Sequence, residues 1–556
     1  MSVTRFLTLV SVLAAAPAVA AGQSAPPIPA AKVDAVFKDF GPTTPGCALG
    51  VYRNGAVAYA KGYGMADLSL GVPISPRTMF DIGSTSKQFA AAAVALLALD
   101  GKIQLSDDVR KYVPELPSYG APITIDHMLR HTSGLRDYNG LLYLAGHRFE
   151  DFTDDDDALA VIVAQRNLNF APGSRWDYSN TGFFLLSTIV KRVSGLTLAQ
   201  FARERIFSPL GMTRTHFRDD HTEIVKDRAT AYSPGAKGGY VIDMSNWDQT
   251  GDGAVNTNVL ELARWDANFA NPRVGGRDFV TMLETRGQLN NGDTLQYARG
   301  LFVDRYRGLR RVHHGGAWAG YRAMLMRFPD QGVSIAVTCN VADGDPQGRS
   351  ERVADAILAG RFTEPKGPTA PAAKGTTAGA EPTVDPAGYV GTYFSEKIQN
   401  TFEIVARAGG IAVSVFGGAF DLVPRDGERF TAKGVPVDVT FGADRRTATI
   451  AIRGQAADEY VRVQPPSLTA ADLEQLVGSY PSPELKTTWT VTIDSGKAVL
   501  RGRAFGRATL EPVVRDGFRS SSGFATFTRG ADGRITGFDF SASRMQRIRF
   551  DRSPTP

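Results

Sequence analysis

At 556 residues the chain is too long for a single hydrophobic core and implies two to four domains. Hydrophobic residues make up 43% of it, enough for sizeable cores; 62 basic against 57 acidic residues leave a net charge of +5 with no dense Lys/Arg block, so composition argues against a nucleic-acid partner. Two cysteines, Cys47 and Cys339, are too few for a disulfide scaffold or a cysteine zinc site, and no metal or cofactor is expected.

Arg5 precedes an apolar segment, residues 6–16, and Ala18-Val19-Ala20 supplies small residues at cleavage spacing. That pattern predicts a secretory signal peptide over residues 1–20, cut after Ala20 or Ala21. No cysteine follows closely, so a lipid anchor is not expected. No later run of 18 apolar residues suggests a membrane span after cleavage. The expected location is periplasmic or extracellular. Residues 45–63 then read as a hairpin, with Arg53-Asn54-Gly55 as its turn.

Asp81-Ile82-Gly83-Ser84-Thr85-Ser86-Lys87-Gln88 runs directly into an Ala-rich helical stretch, residues 89–99. Ser84 stands at the mouth of that helix, and Lys87, three residues on, faces the same way. A serine hydroxyl is a poor nucleophile without a base beside it. A lysine amine can be that base if burial and the helix N-terminus lower its pKa. Alone, Ser-x-x-Lys is weak: about one chance match is expected in a chain this long. The plain alternative is an N-capping serine and a solvated lysine.

Further on, residues 123–129 lead into Arg130-His131-Thr132-Ser133-Gly134-Leu135. Four aspartates, residues 154–157, precede a helical stretch and read as a helix N-terminus favoured by carboxylates, not as a calcium loop. Tyr178-Ser179-Asn180 sits on a turn before a helical run, residues 183–193. A phenol with a depressed pKa can exchange protons with a serine oxygen and a leaving group. Asn180 can hydrogen-bond a substrate carbonyl and the lysine. Their plain readings are a half-buried aromatic and a turn residue. Residues 220–255 read as a long irregular excursion over a site. His314-Gly315-Gly316 precedes a strand; the glycines would let a substrate lie along the strand edge, and His314 would set the local charge. The plain reading of His314 is a surface histidine at a strand end.

The first domain spans residues 30–362. Residues 363–384, rich in Pro, Ala, Gly and Thr, form an interdomain linker. The chain then repeats itself: Tyr389-Val390-Gly391-Thr392-Tyr393 returns 87 residues later as Leu476-Val477-Gly478-Ser479-Tyr480. Each copy, residues 385–465 and 466–553, consists of short alternating strands punctuated by glycine, which predicts two small antiparallel β-barrels or sandwiches in tandem, with lipocalin-like barrels as the favoured form. Neither copy carries a nucleophile or metal constellation.

Ser84-x-x-Lys87, Tyr178-x-Asn180 and His314-x-Gly316, in that order, resemble the three motifs of the class C β-lactamase and penicillin-binding-protein-like serine hydrolases. The flanking stretches Leu129–Leu135, Tyr178–Gly182 and Pro209-Leu210-Gly211-Met212 match as well, and the likeness covers residues 33 to 361. The resemblance implies an α/β (α+β) catalytic domain: an antiparallel sheet flanked by helices, an all-helical lobe, and the site between them. It implies an acyl-enzyme on Ser84, with Lys87 and Tyr178 managing its proton. Asn180, His314 and Gly316 would contact substrate, and the backbone N–H groups of Ser84 and Ala317 would hold the oxyanion. The third motif departs from the usual lysine by starting with histidine, as in relatives that act as esterases and D-aminopeptidases; His313-x-Gly315 is an alternative register. A catalytic domain followed by two small barrels resembles bacterial D-aminopeptidases. The resemblance also makes the first and last strands of the sheet neighbours, which would bring Cys47 and Cys339 within about 7 Å, close enough for a disulfide. The expected function is a secreted serine hydrolase cleaving an amide or ester of a small-molecule or peptide substrate, with D-aminopeptidase as one candidate type and a homodimer as the candidate assembly. The alternatives are a carboxylesterase or weak β-lactamase, and a penicillin-binding, peptidoglycan-sensing protein with little turnover.

Overall fold

The computed structural model describes residues 27–365 and 384–554, apart from 416–417, 434, 436 and 453–456. The expected signal peptide and most of the linker lie outside these residues.

A six-stranded antiparallel sheet organises the first part of the chain. Its strands are β1 (Cys47–Arg53), β2 (Ala56–Tyr63), β3 (Phe302–Tyr306), β4 (Leu309–Trp318), β5 (Tyr321–Phe328) and β6 (Val333–Cys339). The spatial order is β3-β4-β5-β6-β1-β2. The Asn54-Gly55 turn joins β1 to β2 with positive φ at both residues, 48° and 78°, as a tight hairpin of this twist requires. β1 lies between β6 and β2 and is buried on both faces. Leu49 and Val51 pack with Val33, Phe37 and Val353 on one side; Ala48 and Tyr52 join the helical core on the other. Cys47 pairs with Cys339 in the β1–β6 register, and the two form a disulfide with Cα atoms 4.0 Å apart.

The long connection from β2 to β3 carries the helical lobe. Helix α1 (Lys87–Leu99) is buried on nearly all sides, which its alanines permit: small side chains let neighbouring helices approach closely. It packs beside α2 (Asn180–Ser194), while α3 (Val259–Ala270) covers the sheet face and α4 (Pro346–Ile357) the opposite one. The four aspartates do cap a helix: the Asp154 carboxylate accepts the N–H groups of Asp156 and Asp157.

The first C-terminal repeat is a closed eight-stranded antiparallel barrel running from Gly391–Ser395 to Asp458–Val463. The second forms two sheets, the arrangement of the sandwich alternative. Strands from Gly478–Ser482 to Gly506–Thr509 make a four-stranded sheet, and those from Glu511–Val514 to Met545–Asp551 a five-stranded one. One extended segment serves both sheets. Leu510 still donates its N–H to Ala498, while Glu511 already pairs with Arg519, so the ladder passes from one sheet to the other at this corner. Both sheets enclose one core around Trp489, Phe538 and Phe550. The repeat is visible in detail: buried Tyr393 donates its hydroxyl to the Tyr389 carbonyl at 2.9 Å, and buried Tyr480 does the same to Leu476 at 2.6 Å.

This second unit is fastened to the helical lobe. Leu141 and Leu144 enter its core, and Trp489 donates to the Leu144 carbonyl. Arg136 and Glu484, both buried, form an ion pair across the contact. Among the described residues, no single helix is long and apolar enough to cross a membrane.

Candidate active site

Ser84 lies in a single 3-10 turn, Gly83–Ser86, that opens directly into α1. Two glycines make room for this turn against β4. A Cβ on Gly83 would stand 2.7 Å from the Ala317 nitrogen, and one on Gly316 would stand 1.9 Å from the Ile82 carbonyl oxygen. Gly316 therefore allows the close approach of β4 to the serine turn, and it also lines the cleft. The approach brings the Ala317 backbone against the Ser84 turn.

Lys87, on the first turn of α1, is fully buried. Its Nζ donates to Ser84 Oγ at 3.1 Å, Asn180 Oδ1 at 2.8 Å and the Asp252 carbonyl at 2.7 Å. Burial pushes its pKa down to about 8, against the pull of the Asp252 and Asp137 carboxylates; the Arg544 charge lowers it further. The amine also lies 4.9 Å from the centre of the Tyr178 ring. Asn180 is held from behind, since its N–H, at the start of α2, donates to the Asp137 carboxylate at 2.8 Å.

Tyr178 departs from the expected depressed phenol. Burial raises its pKa, and the opposing influences of Ser84 and Arg544 are smaller. The hydroxyl is a neutral group that faces Ser84. His314 departs in the same way from setting the local charge. Burial and the neighbouring Lys87 push its pKa down to about 3, so the ring is neutral.

The partners of His314 fix its tautomer. The Ser179 N–H donates to His131 Nδ1 at 3.2 Å, so the proton of neutral His131 sits on Nε2, 3.1 Å from the Tyr297 hydroxyl. Tyr297 then donates to His314 Nε2 at 3.0 Å, and His314 Nδ1 donates to the Gly315 carbonyl at 2.6 Å. His131 is itself held neutral by burial. His313 also lines the cleft but is held by Asp304 Oδ2 at 3.2 Å, while His314 is the histidine bonded to Tyr297.

Ser84, Tyr178, Asn180, His314, Gly316 and Ala317 all line one cleft of about 980 Å³, with Lys87 at its floor. The sequence reading did not single out Asp137, Tyr297, Asp252 or Arg544, and assigned His131 no part. Of these, His131 lay in the noted stretch 130–135 and Asp252 in the irregular excursion 220–255. Arg544 arrives from the C-terminal unit, at the turn between the strands Ile535–Ala542 and Met545–Asp551. With its carbonyl accepting the Asp137 N–H at 3.1 Å, its guanidinium lies over the Tyr178 ring, 4.9 Å from the centre.

Comparison with known proteins agrees with this architecture. The sequence profile of the beta-lactamase family, described as "Beta-lactamase", matches residues 33–359. The penicillin-binding protein 4* of Bacillus subtilis (strain 168) is 27% identical over 441 residues, covering 74% of this chain and 94% of its own. A D-aminopeptidase of Brucella ovis is 24% identical over 523 residues, 91% of this chain and 96% of its own. Among solved structures, the octameric penicillin-binding protein homologue from Pyrococcus abyssi superposes with a TM-score of 0.55 at 21% identity, covering 78% of this chain and 98% of that one. The D-amino acid amidase from Ochrobactrum anthropi SV3, complexed with L-phenylalanine amide, does so with a TM-score of 0.51 at 21% identity, covering 60% and 99%. The structural likeness speaks to the fold; the profile spans more than half of the chain, which belongs to the beta-lactamase family of serine hydrolases.

Proposed function

We propose that the protein is an exported hydrolase that cleaves an amide or ester through an acyl-enzyme on Ser84, acting on short substrates that contain a D-amino acid. The observation that carries the chemistry is the Lys87 amine: fully buried, 3.1 Å from Ser84 Oγ, with a pKa lowered to about 8. As a neutral amine it takes the Ser84 proton while Oγ attacks the substrate carbonyl. The tetrahedral oxyanion sits between the N–H groups of Ser84 and Ala317, two residues that line the same cleft. The neutral Tyr178 hydroxyl hands a proton to the departing nitrogen or oxygen and is reprotonated from Lys87. With Asn180 Oδ1 engaged by Lys87, its Nδ2 remains to hold a substrate carbonyl. Water then cleaves the ester by the reverse proton path.

The D-residue preference rests on the relatives named D-aminopeptidase, one of which aligns over 91% of this chain. Export is supported by the leader-like residues 1–20 and by the Cys47–Cys339 disulfide, a bond that persists in oxidising compartments. The test is a panel of D-alanine p-nitroanilide, a p-nitrophenyl ester and a penicillin, with a fluorophosphonate as covalent label. The reading expects turnover of the anilide and complete loss of labelling in Ser84→Ala. Labelling retained at another serine overturns the Ser84 assignment. Stable acylation by penicillin with no turnover of the other two would make the protein a penicillin-binding protein instead.

A further inference from the structure

The cleft lacks the charge that a lysine in the third motif would bring, because His314 is neutral. A cation nevertheless enters it from a different part of the chain. Three arginines line the cleft: Arg311, Arg322 and Arg544. Arg311 is consumed by Asp304 and Glu351. Arg322 is turned back onto its own hairpin, donating to the carbonyls of Ala319 at 2.7 Å and Tyr321 at 2.6 Å. Of these three, Arg544 is the one whose guanidinium makes neither an ion pair nor a hydrogen bond among the described residues; it lies over the face of Tyr178, with the Asp177 carboxylate close enough to feel its charge.

Its placement is rigid. The Arg544 carbonyl accepts from the Asp137 N–H and from Asn169 Nδ2 at 2.8 Å, and the Gln546 N–H donates to Asn169 Oδ1 at 2.9 Å. Met545 beside it is buried against Gly140, where an added Cβ would lie 2.3 Å from the Met545 methyl. Arg136, whose ion pair with Glu484 fastens this unit, also donates to the Arg547 carbonyl at 2.9 Å. The backbone of Arg544 is left-handed, φ 62°, a conformation that glycine would adopt without strain. An exposed, uncommitted guanidinium is thus held by fixed backbone over the proposed proton donor, with its fork of N–H groups free.

We propose that Arg544 is a specificity-determining residue that receives a carboxylate of the substrate, so that the preferred substrates are short D-residue peptides or esters carrying a free acid. A planar carboxylate matches the guanidinium fork. A monoanion also suits a cleft that contains the Asp137 and Asp252 carboxylates better than a dianion would. The assignment rests on the acyl-enzyme reading of Ser84 and adds to it the chemistry of recognition.

The test compares three esters at pH 9, where Lys87 is largely neutral: p-nitrophenyl acetate, mono-p-nitrophenyl glutarate with its acid on the acyl side, and 3-carboxy-4-nitrophenyl acetate with its acid on the leaving side. Arg544→Gln is expected to lower the kcat/KM ratio of one acidic ester to the neutral ester by about tenfold, mainly through KM, the scale of one charge-assisted hydrogen bond. Arg544→Lys is expected to restore part of that ratio. Equal losses on acidic and neutral esters, or ratios that move by less than about threefold for both acids, overturn the proposal and leave Arg544 a structural residue. Ser84→Ala measured alongside separates the two claims: hydrolysis that survives it defeats the Ser84 reading, whatever Arg544 does.

Discussion

Burying Lys87 among Ser84, Asn180 and the Asp252 carbonyl costs its charged form the solvation of water, and this moves its pKa from 10.5 to about 8. Above that value the amine is neutral and can accept the Ser84 proton; below it the amine is an ammonium and cannot. The expected pH profile of kcat/KM for a neutral ester therefore has an acidic limb with a midpoint near 8, falling about tenfold per unit below it. His131 and His314 are held neutral far below this range, so neither contributes a limb near the ordinary histidine value of 6.5. A limb at that value would move the base from Lys87 to a histidine. The Ser84-Lys87 pair was legible in the sequence because both residues belong to one helical turn. The protonation states were not: the raised pKa of Tyr178 and the neutrality of His314 come from burial, which the motifs do not encode.

Between elements, the decisive contact is that of β4 with the Ser84 turn. A methyl on Gly316 would meet the Ile82 carbonyl oxygen at 1.9 Å, an atom of backbone that cannot swing aside. Gly316→Ala should push β4 off the turn, displace the Ala317 N–H and lower ester turnover by about two orders of magnitude, the scale of losing one oxyanion donor. Gly315→Ala is the control, because its nearest neighbour is the flexible end of Met324 at 3.3 Å, and it should keep most of the activity. Steady-state kinetics with thermal unfolding of both variants checks this. The hairpin at Asn54-Gly55, the aspartate-capped helix and the internal repeat were all readable from local residues. The corner at Leu510 was not, since it depends on which sheet each half of one extended strand joins. The disulfide was foreseen only through the resemblance, because residues 292 apart in sequence carry no local sign of contact.

At the scale of the whole molecule, the cleft is closed by chain that lies far from its motifs. Arg136 reaches Glu484 and Arg547, Arg175 reaches Asp458 with two hydrogen bonds of 2.5 and 2.7 Å, and Arg544 stands over Tyr178. Both C-terminal units thus touch the catalytic lobe, and the second one contributes to the site itself. No spacing within the sequence announces this, because only the folded packing brings residue 544 to residue 178. The central claim remains the covalent intermediate on Ser84. Its most direct test is acid quenching within milliseconds of mixing with a p-nitrophenyl ester, followed by peptide mass mapping. The account predicts one acyl adduct, on the peptide that contains Ser84, absent from Ser84→Ala. Continued ester turnover with no adduct, or with the adduct on another residue, would contradict it.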